Sequence, residues 1–130
     1  VWPGSTAEPE GVMEQFRRIL TGKKGNVHIV SFKDKKILDD TVLDEIRTDV
    51  TNLLAKASGP DVLLDFGNVE FMSSAMLGLL GQLHRKVSAA QGRLKMCSIR
   101  PEIFQVFKLT NLDKLFSIHK DAEAALATFT

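Results

Sequence analysis

Tyrosine is absent from this 130-residue chain, tryptophan and cysteine occur once each, and proline only four times. The lone cysteine, Cys97, cannot close an internal disulfide, so a reducing, cytoplasmic setting is expected. No apolar run approaches the roughly 18 residues that a membrane-crossing helix needs, and no secretory leader is visible, so no membrane role is expected. Charge of one sign is also lacking: 17 basic residues face 16 acidic ones. Without a net field, direct binding of nucleic acid is not expected. Several catalytic motifs are missing as well: a phosphate loop ending in Gly-Lys-Ser/Thr, His-Glu-x-x-His, Cys-x-x-Cys and Gly-x-Ser-x-Gly. His28, His84 and His119 are spread over a strand, a helix face and a late loop, so neither a metal site nor a cofactor is expected. These absences point away from an enzyme and toward a binding protein.

What is present suits one compact domain. At 44% hydrophobic residues, a chain of this length buries about two-thirds of its unfolded surface. Residues 1–9 are small, polar and proline-punctuated and read as a flexible segment; residues 10–25 read as a helix, over about Glu10 to Leu20, and a linker; the main domain is expected over 26–130. Val27 to Phe32 suits a strand, turning at Asp34-Lys35 into a short return over Lys36-Ile37-Leu38, which together make an N-terminal hairpin. A helix is predicted from about Asp40 to Ala57, ending before Gly59-Pro60, with Ile46, Val50, Leu53 and Leu54 inward beside Val42 or Leu43. Val62 to Phe66 is a short apolar run bounded by turn residues, as an interior strand should be. Met76, Leu77, Leu79, Leu80, Leu83 and Val87 then recur at helical spacing. A strand follows Gly92, with Cys97 inside it as a small buried hydrophobe. A helix opens at Pro101-Glu102, Phe116 to Ile118 forms a last short strand, and Asp121 to Phe129 a closing helix. Such alternation implies an α/β fold with a mostly parallel sheet of four or five strands and crossover helices.

The most informative stretch is Val69 to Gly78, because Ser73 and Ser74 stand where a buried strand gives way to an amphipathic helix. Unpaired amides and the positive end of the helix dipole favour an added negative group there, such as a phosphate. Serine is also a preferred N-cap, so either hydroxyl alone is equally explained by capping. Asp39 reads as the N-cap of the helix beginning at about Asp40. Lys23, Lys24, Lys33, Lys35 and Lys36 form a basic group around the hairpin, either a solvated turn or a contact for an acidic partner. His84 reads as solvated on its helix.

The longer pattern resembles the STAS domain family, which includes bacterial anti-sigma factor antagonists. The resemblance is carried by Leu64-Asp65, Phe71-Met72-Ser73-Ser74-Ala75-Met76-Leu77-Gly78, Gly92 to Cys97, Arg100-Pro101-Glu102, and Leu109 to Phe116, and covers about the last hundred residues. It implies a STAS-like fold and a partner that is an anti-sigma factor with serine kinase activity, with a phosphatase restoring the unmodified form. The phosphorylated serine of the antagonists falls on Ser74, and Asp39, Ser73, Ser74, Ala75, Met76 and Gly78 become the expected contact residues. Ser73 replaces the family's usual aspartate, Ala75 its second hydroxyl, and Met76 a glycine, which would place a bulky side chain by the acceptor. The resemblance also admits an unphosphorylated scaffold or ligand-sensing domain, or an accessory subunit of a transport system. A monomer or weak dimer is expected.

Overall fold

The computed structural model describes residues 18–56 and 61–129. Among the described residues, seven strands and four helices run in the order β1 (Ile19–Lys24), β2 (Val27–Phe32), β3 (Lys36–Ile37), α1 (Asp40–Lys56), β4 (Asp61–Asp65), β5 (Phe71–Met72), α2 (Ser74–Ala89), β6 (Arg93–Cys97), α3 (Pro101–Leu109), β7 (Ser117–His119) and α4 (Ala122–Ala127). A 3-10 turn, Leu112–Lys114, separates α3 from β7. The main sheet has the order β1-β2-β4-β6-β7, antiparallel between β1 and β2 and parallel throughout the rest. No helix among the described residues is long and apolar enough to cross a membrane.

Strand alternation divides the core in two. On one face Val30, Phe32, Val62, Leu64, Phe66, Leu94 and Met96 pack with Ile46, Val50 and Leu53 of α1 and Leu79, Leu80, Leu83 and Val87 of α2. The Phe32 and Phe66 rings lie 5.1 Å apart at their centroids. On the other face Val27, Ile29, Leu63 and Cys97 meet Ala125 and Phe129. Burial and the nearby Asp65 carboxylate push the Cys97 thiol up to about 12, so it stays protonated.

Several expectations need correction. An N-terminal hairpin is present, but not the expected one: β1, formed by residues read as the end of a helix and a linker, pairs antiparallel with β2. A helical stripe and a strand both tolerate Ile19 and Leu20; pairing Ile19 to Phe32 in register settles the choice by burying Ile19 fully. The rest of the helix expected over 10–20, like the 1–9 segment, lies outside the described residues. Lys36 and Ile37 do not return along β2. They pair in parallel with Phe71 and Met72 as a separate two-stranded sheet, a non-local pairing that local periodicity cannot reveal. The lysines therefore split: Lys23 and Lys24 end β1, whereas Lys33, Lys35 and Lys36 lie past the far end of β2, about 20 Å away at strand rise. His84 is half-buried, its ring meeting Phe116 edge-on at 5.5 Å. Helix α2 ends at Ala89, before Gly92 as its spacing predicts; Gln91 takes the left-handed conformation at φ 64°, and the Gly92 amide donates back to the Val87 carbonyl at 2.8 Å.

Candidate functional site

The two serines are placed by a loop tied down at both ends. After β4, the Asp65 carboxylate accepts from the Gly67 amide at 2.9 Å and turns the chain out of the sheet. The Asn68 side chain donates to the carbonyls of Phe32 (3.2 Å) and Lys33 (2.9 Å). The amides of Glu70 and Phe71 both donate to the Lys35 carbonyl, and the Ser73 amide donates to the Ile37 carbonyl at 2.9 Å. Parallel pairing of β3 with β5 means that the chains leave this small sheet side by side, one into α1 and the other into α2. Leu38 and Asp39 thus accompany Ser73 and Ser74, and two helix N-termini open next to each other.

Their capping differs. Asp39 caps α1: its carboxylate accepts from the Val42 amide at 2.9 Å and its carbonyl from Leu43. Asp39 is thus a cap, and the parallel register of β3 and β5 brings it out of the small sheet alongside Ser74. Ser73 is the N-cap residue of α2, with extended backbone (φ −80°, ψ 165°), yet its side chain makes no capping bond and its hydroxyl is buried without a partner. No acidic residue stands in the first turn of α2. Ser74, the first helical residue, is exposed, as are Ala75 and Gly78. At Gly78 an added Cβ would meet nothing within 4 Å.

Met76 corrects the expected contact set. It is 0% exposed and belongs to the core beneath α2, because three residues past the N-cap the helix already faces the sheet. The side chain that looked like an obstacle to the acceptor is turned away from it.

Around the serines lies an apolar surface that sequence reasoning missed. Leu38 and Phe71 are 54% and 55% exposed, with the Lys36 ammonium 5.7 Å over the Phe71 ring. Phe71, Met72, Leu77, Ile103 and Val106 line a groove of about 130 Å³ between β5 and α3, with Glu70 and Glu102 also on its walls. The Glu70 carboxylate stands 3.8 Å from the Arg100 guanidinium. The only sequence signal for this surface was an apolar pair, Phe71-Met72, too short to assign a strand face.

A recess of about 920 Å³ sits at the opposite end of the sheet, where Lys24, Asp61, Arg93 and Phe129 meet. Its strongest charges are already engaged: Arg93 donates to Asp61 at 2.9 Å and to the Phe129 carbonyl at 2.7 Å. That bond to Arg93 is the main reason the Asp61 carboxyl lies below its ordinary range. Arg18 makes the other charged knot, its side chain reaching Glu45 (2.6 Å) and Asp34 (3.1 Å) while its amide donates to the buried Asp49 at 2.7 Å, so β1 is fastened to α1. Among the described residues no group of three or more His, Cys, Asp or Glu side chains is placed to hold a metal.

An α/β domain of mixed sheet, with an exposed hydroxyl at an uncapped helix start, is the class that fold and site define. The STAS domain family model matches residues 12–125, and the chain belongs to that family. A protein of Bordetella bronchiseptica named "Putative anti-sigma factor antagonist BtrV" is 31% identical over 68 residues; the match spans 52% of this chain and 59% of that protein. A STAS-domain anti-sigma factor antagonist from Planctomyces limnophilus superposes with a TM-score of 0.78 at 23% identity, covering 85% of this chain and 96% of that one. The Bacillus protein SpoIIAA in its phosphorylated form gives 0.65 at 16% identity, over 86% of this chain and 99% of its own. The last two likenesses establish the fold.

Proposed function

We propose that this chain is an anti-sigma factor antagonist, a cytoplasmic regulatory protein that binds an anti-sigma factor with serine kinase activity and is released by phosphorylation of Ser74. The reading rests on one observation above others: the Ser74 hydroxyl is exposed at a helix start without a side-chain cap, beside the exposed Leu38 and Phe71. The naming of BtrV as an anti-sigma factor antagonist and the phosphorylated SpoIIAA structure support it.

In this mechanism the unmodified surface, comprising Ser73, Ser74, Ala75, Gly78, Asp39 and the apolar Leu38 and Phe71, docks on the kinase and frees its sigma factor. The Ser74 Oγ then attacks the γ-phosphorus of ATP. A new O–P bond forms, the bond to the bridging oxygen breaks to leave ADP, and the hydroxyl proton passes to a base on the kinase. The product carries about 1.5 to 2 negative charges where an apolar contact had been. Desolvating those charges weakens the complex; about 2.8 kcal/mol suffices for a hundredfold loss of affinity. A phosphatase returns the protein to its binding form by hydrolysis.

Intact-mass measurement after incubation with ATP and the cognate kinase tests the acceptor. One phosphate on the parent and on Ser73→Ala, with none on Ser74→Ala, is the expected pattern. Phosphate on Ser74→Ala, or on none of the three, would remove Ser74 from the mechanism.

A further inference from the structure

Resting on the Ser74 reading, we infer that Ser73 is a positioning residue for the phosphorylated state, whose hydroxyl is without a partner at rest and hydrogen-bonds the phosphate on Ser74. The starting observation is the Ser73 Oγ itself. It is sealed from solvent and makes no hydrogen bond, although a serine N-cap ordinarily places that oxygen on an amide of the first turn. A buried hydroxyl with neither donor nor acceptor used is a group waiting for a partner. The two helices capped by aspartate show what this position normally does: Asp39 and Asp121 both accept from the third residue of their helix, at 2.9 and 2.8 Å.

The adjacent residue supplies the missing partner once modified. Ser74 emerges from the first helical position, so a phosphate on its Oγ lies by the opening of α2. There the early amides lack a side-chain acceptor and no carboxylate competes for them. To reach that phosphate the Ser73 hydroxyl leaves its sealed position by exchanging one staggered χ1 well for another, a rotation of about 120°. As an O–H donor it then gives a charge-assisted bond to a phosphate oxygen. The bond is stronger to the dianion than to the monoanion, so it favours loss of the second phosphate proton. An aspartate at position 73 would instead repel the phosphate; a serine at this position makes the modified state self-supporting.

The test uses the full chain with phosphoserine genetically encoded at position 74, verified by intact mass, so that no kinase is needed. Phosphorus NMR titration from about pH 4 to 8 reads the second phosphate pKa, ordinarily near 6. Ser73→Ala and the donor-poor Ser73→Cys are expected to raise it by about one unit, a tenfold change in proton affinity, and Ser73→Thr to restore the parent value. Unphosphorylated Ser73→Ala should melt at or above the parent temperature, since it discards an unpaired polar group. Coincident titrations for parent, Ala and Cys forms would overturn the proposal, as would a clear fall in the melting temperature of unphosphorylated Ser73→Ala. Failure of kinases to modify Ser74 in the mass experiment would count against the switch alone and leave this titration readable.

Discussion

Replacing Met76 by alanine separates a core role from a contact role at a position where the family's usual residue is glycine. The side chain is 0% exposed and sits in the main cluster with Leu79, Leu80 and Leu83. Alanine is at least as good a helix former as methionine, so helix propensity does not contribute to the loss. What remains is the lost transfer of the thioether chain from water plus the cavity left behind, about 2 to 5 kcal/mol for Met→Ala in a packed core. Taking about 3 kcal/mol, and an unfolding entropy of about 2.1 cal/mol/K per residue, the melting temperature falls by about 11 °C. A domain stable by about 5 to 15 kcal/mol remains folded when cooled. Urea unfolding at 10 °C measures the loss directly, and binding to the cognate anti-sigma factor at the same temperature should stay within about threefold of the parent. A destabilisation below about 1 kcal/mol, or a tenfold loss of affinity in a fully folded sample, would refute a core-facing Met76.

Asp39→Ala removes the cap of α1 and should cost about 1 kcal/mol in urea unfolding, whereas Asp39→Asn, which still accepts from the Val42 amide, should cost much less; equal losses would deny the capping role. Gln91→Gly relieves a left-handed backbone at the end of α2 and should raise stability by about 0.5 to 1 kcal/mol, seen as a higher urea midpoint at unchanged slope; a lower midpoint would contradict it. His28 is held below its ordinary pKa first by burial and then by Lys23, with Asp61 partly offsetting both. Its native form therefore refuses a proton that the unfolded chain accepts. The stability that neutral His28 contributes is complete above about pH 6.5 and is lost as pH falls toward the folded pKa. Between pH 7 and 5 the parent should lose more stability than His28→Gln, and equal losses would show that His28 is not the titrating group.

Much of the fold was legible because one period dominated each segment. All six α2 positions chosen by spacing, Met76 to Val87, are buried, and β4, whose centre is the continuous apolar run Val62 to Leu64, pairs in parallel with β2 on one side and β6 on the other. What escaped was non-local. Lys36–Ile37 and Phe71–Met72 are two-residue strands whose identity depends only on each other, and Ile19 was assigned by its partner Phe32 rather than by its neighbours in sequence. The site was half legible. Two hydroxyls at a helix start could be seen in the residues, but the exposure of Ser74, the sealed hydroxyl of Ser73 and the inward turn of Met76 follow from the phase at which α2 meets the sheet. The groove between β5 and α3 joins residues about thirty positions apart, so no local motif announces it.

The switch itself is tested most directly by titrating the cognate anti-sigma factor with two forms of the full chain, unmodified and carrying encoded phosphoserine at position 74, at one fixed ionic strength. Affinity about a hundredfold weaker for the phosphoserine form, with both forms folded, is the expected result. Affinities within about threefold of each other would contradict a charge-operated release at Ser74.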